Sequence, residues 1–149
     1  MISLRLLRQD EGDAAARLHR RAAALIPGYD TALHSEDEFI AFYRDKVMVE
    51  GPVWGAFEGD ALRGHLALRP GWIDHLYVEP AFHGRGVGAA LVRLAQDQQV
   101  ELRLHTFQAN VRARALYERH GFTVEDLTDG QRNEEKMPDV TYHWRRSRD

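Results

Sequence analysis

The chain of 149 residues has no cysteine. That removes disulfides, thiolate metal ligands and a cysteine nucleophile together. It also has no run of about 18 apolar residues, so no membrane-spanning helix is expected. The opening stretch, MISLRLLRQDEGD, lacks the apolar segment and cleavage site of a secretory signal. With the missing cysteines, this gives the expectation of a cytoplasmic protein. Neither sign of charge dominates: 20 Lys and Arg face 23 Asp and Glu. These are mixed along the chain, so no nucleic-acid surface is indicated. Repeats, low-complexity tracts and linkers are missing too. The expected organisation is one domain, residues 1–146, with a short tail at 147–149. The basic run Arg145-Arg146-Ser147-Arg148 reads as a solvated terminus.

What is present centres on residues 73–95, IDHLYVEPAFHGRGVGAALVRLA. Residues 73–78 are rich in β-branched and aromatic side chains and short enough for a strand. Pro80 ends it, having no N–H for a ladder. Gly84, Gly86 and Gly88 follow at every second position, and then Val87, Leu91, Leu94 and Ala95 recur at helical spacing. Strand, glycine turn and helix N-terminus in that order suit an anion such as phosphate. Glycines allow close backbone approach, and the unpaired N–H groups of a helix start attract negative charge. The same residues also read as a plain structural turn. Gly84-x-Gly86-x-x-Ala89 fits a dinucleotide fingerprint on paper, but Pro80 to His83 separate it from the strand end. The strand expected at 101–106 does not end in a ribose-binding acid. No Gly-Lys-Ser/Thr follows, which excludes a P-loop.

Along the rest of the chain, residues 2–7 alternate as a first strand. Asp10 is expected to cap a helix with Ala14, Leu18, Ala22 and Leu25 as its buried stripe. Pro27-Gly28 breaks it, and Ser35 caps a second helix carrying Phe39, Ile40 and Tyr43. Residues 26–42 either line a substrate cleft or form a surface connection. Residues 53–57, 61–69 and 72–78 form an antiparallel meander, with a hairpin at Glu58-Gly59-Asp60. The helix after the glycines leads to the strand at 101–106, a parallel crossover. Asn110 caps a helix over 111–120, which Gly121 closes. A strand starts at 122–125. The polar loop 126–139 precedes a last strand with Val140, Tyr142 and Trp144 alternating. The fold class is α/β: a mixed antiparallel and parallel sheet with helices on both faces.

Two blocks carry a resemblance. His83-Gly84-Arg85-Gly86-Val87-Gly88 after Leu76-Tyr77-Val78 resembles the acetyl-CoA loop of the GNAT superfamily of N-acetyltransferases. The block from Asn110 to Phe122 looks like the family's following motif: Asn, Ala, Tyr and then Gly-Phe. The order of elements also matches over essentially the whole chain. His83 stands where the family usually has Gln or Arg. The glycines are intact, and backbone N–H groups carry most pyrophosphate binding in this family.

The resemblance implies acetyl-CoA as co-substrate, no metal, and direct transfer to a primary amine through a ternary complex. A non-catalytic acyl-CoA-binding or sensing module of the same fold is the alternative. Tyr77 and Val78 would contact the pantetheine arm through their backbone. His83, Gly84, Arg85, Gly86, Val87 and Gly88 would hold the pyrophosphate, and Asn110 the arm. Tyr117 would donate to the leaving sulfur. Asp74 matches a position where relatives often carry an acid working as a base through water; its neighbour His75 has the more suitable ordinary pKa. As adjacent strand residues they are expected on opposite faces. The other histidines show no ligand spacing, so no metal site is expected. The acceptor class is a small-molecule or peptide amine, and a homodimer is common in the family. The loop 126–139, with Asp126, Asp129, Glu134, Glu135 and Asp139, either steers a cationic amine or is a solvated connection.

Overall fold

The computed structural model describes residues 1–148. The chain runs β1 (Ile2–Leu6), α1 (Gly12–Ala23), α2 (Glu36–Phe42), a π-helical turn (Tyr43–Val47) and α3 (Met48–Glu50). It continues through β2 (Val53–Glu58), β3 (Ala61–Arg69), β4 (Trp72–Val78) and α4 (Val87–Gln98). The last elements are β5 (Glu101–Phe107), α5 (Val111–Arg119), β6 (Thr123–Leu127) and β7 (Asp139–Arg145). Seven strands form one sheet in the order β1-β2-β3-β4-β5-β7-β6. The meander and the parallel β4–β5 crossover expected from the sequence are both there.

Helices cover both faces. α4 and α5 bury Val87, Leu91, Val92, Ala95 and Tyr117 against Leu66, Ile73, Leu102, Leu104 and Val140. On the other face α1, α2 and the π turn bury Ala15, Ala16, Phe39, Tyr43 and Val47 against Val53 and Ala67. The stripe of α1 differs from the one expected. Ala15, Ala16, Leu18 and Ala23 are buried, whereas Ala14 is exposed and Leu25 is 58% exposed. Alanine triplets at 14–16 and 22–24 look apolar on every side, so periodicity alone could not phase the helix.

Asp10 is not the cap of α1. It lies in a 3-10 turn, Gln9–Glu11, paired with Arg8. Glu11 is the residue before α1, and its carboxylate closes the 3-10 turn instead, accepting from the Arg8 backbone N–H at 2.7 Å and from Arg5 at 2.8 Å. Ser35 does cap α2, in a reciprocal box with Glu38. Asn110 accepts from the Ala113 N–H at 3.2 Å, and Gly121 takes φ +87 at the end of α5.

The basic terminus is not simply solvated. Arg145 ends β7, and the Arg146 guanidinium donates to the carbonyls of Gln96, Asp97 and Gln99. It thereby serves orphan carbonyls at the C-terminus of α4. Of the tail expected at 147–149, residue 149 lies outside the described residues.

Candidate active site

The sheet forks between β4 and β5. These strands pair only at Trp72 and Arg103, where the Arg103 N–H donates to the Gly71 carbonyl at 2.9 Å. Beyond that point they part, while β5 stays paired with β7 along its whole length. Main-chain groups of β4 that turn toward the gap therefore lack a strand partner. Ile73 to Tyr77 and Leu104 to Phe107 line the two walls of a cleft of about 410 Å³. Two further depressions meet it. One, of about 300 Å³, lies between β4, α5 and the end of α1, and the other, of about 550 Å³, lies under α1 and α2. Tyr77 and Ile26 line all three, so the spaces join around Tyr77.

β4 carries a β-bulge at its centre. Ala67 faces His75 and Leu68 faces Ile73, which leaves Asp74 without an opposite residue. The extra residue shifts the alternation by one. Ile73, Leu76 and Val78 thus pack with α4, while the rings of His75 and Tyr77 sit against His19 of α1. The simple opposite-face rule for Asp74 and His75 does not apply at a bulge: both line the fork and a smaller hollow beside Arg69. Asp74 is held there by Arg69, whose Nε donates to Oδ2 at 2.5 Å and Nη2 to Oδ1 at 2.9 Å.

The glycine turn leads directly into α4. Gly84 and Gly86 have φ of +79 and +82, and nothing lies within 4 Å of where a Cβ would stand. Gly86 is the residue before α4, so the free N–H groups of the first turn open on that space. Gly88 has a different task. A Cβ there would meet Leu116 at 3.0 Å and Val78 at 3.6 Å, so it lets α4 approach α5 and β4. The buried Val87 anchors the turn to the core. His83 and Val78 line the groove toward α5 together with Asn110 and Arg112. Burial, then Arg112, pushes the His83 pKa down. Arg85 is exposed and stands over the Phe82 ring at 4.7 Å.

Tyr117 is 4% exposed and lines both the fork and the groove. Phe122 and Tyr142 wedge its ring at 5.5 and 6.1 Å. Its hydroxyl has no hydrogen bond to any other described residue, and burial raises its pKa well above the usual 10. The structure thus brings Tyr77, Asp74, His75, Asn110 and Tyr117 to one fork. The turn at 83–88 lies at the end of β4, beyond its Tyr77–Val78 end.

The hollow under α1 and α2 was only partly visible in the sequence. Residues 26–42 do line it, through Ile26, Tyr29, His34, Phe39 and Phe42, with Glu134 and Glu135 from the β6–β7 loop. That loop is built rather than loose. Asn133 donates to the Met137 carbonyl at 2.7 Å, and Met137 packs on Ala23 and Ile26. His34 bridges the mouth, contacting Glu38 at 3.1 Å and Glu134 on the opposite side. Glu38 and Glu134 raise its pKa.

Sequence reasoning missed His19, Tyr43 and His65 as a connected group. Tyr43 is fully buried, with its OH 2.9 Å from His19 Nδ1 and 2.7 Å from His65 Nε2. The available signal was His65, a histidine next to the apolar run Leu66-Ala67-Leu68 of β3. No set of three His, Cys, Asp or Glu among the described residues is arranged to hold a metal. No helix among them is long and apolar enough to cross a membrane.

Known proteins share this arrangement. Residues 35–124 match the model of the acetyltransferase (GNAT) domain. The chain is 31% identical over 130 residues to peptidyl-lysine N-acetyltransferase YjaB of Escherichia coli K12, covering 83% of this chain and 84% of the relative. The solution structure of apo YjaB from Escherichia coli superposes with a TM-score of 0.78 at 25% identity, over 99% of each chain. The structure of yncA from Salmonella typhimurium with acetyl-CoA gives 0.73 at 16% identity, over 100% of this chain and 96% of that one. A forked mixed sheet with this family match defines an N-acetyltransferase. The chain belongs to the GNAT superfamily.

Proposed function

We propose that the protein transfers an acetyl group from acetyl-CoA directly to the ε-amine of a lysine in a peptide or protein, within a ternary complex. The observation that carries this is the junction at Tyr77. There the groove between β4 and α5 meets the hollow under α1 and α2 through the open fork. One substrate can enter from each side and meet at β4.

The residues present fit acetyl-CoA. The open turn at Gly84 and Gly86 suits a pyrophosphate at its backbone N–H groups, with Arg85 in the turn and Arg112 beside His83 in the groove to add charge. Main-chain groups of β4 that turn toward the gap beside Tyr77 and Val78 suit an amide-bearing arm, and Asn110 lies along the same groove. A strand N–H in the fork polarises the acyl carbonyl. Tyr117 hydrogen-bonds the departing sulfur with a hydroxyl that no described residue occupies, and its raised pKa keeps the proton on oxygen as negative charge builds on sulfur.

On the acceptor side, Phe39, Phe42, Tyr29 and Phe107 offer apolar surface, and Glu134 and Glu135 stand at the rim. That pairing suits a lysine: an aliphatic stem with a cationic head. The YjaB relatives carry peptidyl-lysine in their names, which supports the same class. The test is a panel of amines with acetyl-CoA. Lysine peptides should turn over with higher kcat/KM than small amines without a stem, and CoA should be released one for one. A preference for small polar amines would refute the lysine assignment.

A further inference from the structure

We propose that His19 is the group that takes the proton from the acceptor nitrogen, with Tyr43 and His65 as positioning residues behind it. This rests on the acetyltransferase reading above.

The geometry fixes the imidazole on every side but one. Its ring lies on Tyr77 with centroids 3.9 Å apart and planes 18° apart, and meets Phe39 edge-on at 5.1 Å. Nδ1 is committed to the Tyr43 hydroxyl at 2.9 Å. Nε2 is the ring nitrogen without a hydrogen bond among the described residues. The ring is half-buried and lines the acceptor hollow beside Tyr77, where that hollow opens into the fork.

The Tyr43 hydroxyl has a single proton to give, so the chain of two hydrogen bonds has two arrangements. In one, His19 Nδ1–H donates to Tyr43, Tyr43 donates to His65 Nε2, and His19 Nε2 presents a lone pair to the hollow. In the other, both bonds reverse and Nε2 carries hydrogen. An amine N–H arriving at Nε2 selects the first. That arrangement is also the one an imidazolium needs, so protonation breaks no hydrogen bond. His65 Nδ1 is buried without a partner, so either arrangement leaves one polar atom of His65 unsatisfied.

Two other groups at the fork are less suited. Both oxygens of Asp74 accept from Arg69. His75, 5.4 Å from His19, has no hydrogen-bond partner among the described residues to orient its ring or hold its charge. Burial keeps all three imidazoles weakly basic, with His75 at about 4 and His65 at about 3. A weak base is enough for this step. The ammonium sheds its first proton to solvent before attack. The amine lone pair then forms the N–C bond, the nitrogen becomes positive, and its remaining protons become acidic. His19 Nε2 takes one as the C–S bond breaks and the electron pair leaves on sulfur. The proton returns to sulfur through solvent, so amine and thioester give amide and thiol.

The experiment uses the full chain, acetyl-CoA and a lysine peptide. His19→Asn should lower kcat by about 10²-fold with unchanged acetyl-CoA affinity. Tyr43→Phe should lower kcat by about tenfold, leave the acceptor KM alone and move the acid limb of the kcat profile. Other groups facing this hollow are His75 and Tyr77 of β4, His34, Glu38, Asp45 and Lys46 of the α2 side, and Glu134 and Glu135 of the loop. Their titration is common to both proteins, so the difference between profiles reports the two imidazoles bonded to the Tyr43 hydroxyl, of which His19 faces the hollow. Independently of any variant, nitrogen NMR of wild type with CoA and the lysine peptide should show His19 protonated at Nδ1 alone. Wild-type kcat in His19→Asn, an unmoved acid limb in Tyr43→Phe, or a His19 proton on Nε2 overturns the proposal. Failure of the acetyltransferase reading looks different: wild type itself then acetylates nothing.

Discussion

Arg69 holds Asp74 by both carboxylate oxygens, at 2.5 and 2.9 Å, across the bulge that interrupts β4. The pair stands where the sheet begins to fork, and the carboxylate is engaged before any substrate arrives. Asp74→Asn is therefore expected to lower kcat by less than about tenfold, with acetyl-CoA affinity unchanged. A loss of about 10²-fold would assign proton removal to Asp74 and not to His19.

Gly86 combines a left-handed backbone with open space. Asn and Asp tolerate that backbone about equally, and differ there chiefly in charge. Gly86→Asn should reduce acetyl-CoA affinity modestly, and Gly86→Asp by at least about tenfold more, because a carboxylate repels pyrophosphate at a helix start. Calorimetry decides it. Equal losses in the two variants would make the stretch a turn and nothing else.

The Tyr117 hydroxyl leaves no protein group unsatisfied when removed, since no described residue bonds to it. Tyr117→Phe should keep the melting temperature close to wild type and lower kcat by about 10²-fold, with little change in acetyl-CoA affinity. Wild-type kcat in this variant would end its role toward the thiolate.

How much of this the sequence disclosed depends on the kind of signal. The glycine turn, the α5 cap at Asn110, the meander and the β4–β5 crossover follow from local patterns and were legible, whereas the place of β7 between β5 and β6 was not. The α1 face was not, because alanines at 14–16 and 22–24 give no phase. The bulge at Asp74 was hidden as well: a one-residue slip leaves no mark in composition, yet it decides which side His75 and Tyr77 occupy. His19, Tyr43 and His65 come from three elements far apart in the chain. Only the packing of α1 on β3 and β4 brings them together. The Arg146 clamp on α4 was unreadable for the same reason.

At the acceptor mouth, His34 ties Glu38 to Glu134. Its pKa is raised in the folded protein by Glu38 and Glu134. The cross-link is thus fully present below the ordinary histidine pKa of about 6.5 and is lost as pH rises through the higher folded value. The acceptor KM should fall over that rise. His34→Gln should remove this component while sharing the titration of the amine itself. Measured above the His34 titration, where the cross-link is already lost, Glu134→Gln with Glu135→Gln should raise KM for a cationic acceptor and weaken the salt dependence of kcat/KM, leaving acetyl-CoA KM alone. An unchanged acceptor KM and salt dependence would make this loop a connection only.

The most direct test of the whole account is transfer of labelled acetyl from acetyl-CoA to a lysine peptide, followed by mapping of the modified atom. The expected result is label on the lysine Nε, one CoA released per acetyl transferred, and both appearing about 10²-fold more slowly in His19→Asn and Tyr117→Phe. Tight acetyl-CoA binding with no label on any amine would contradict it.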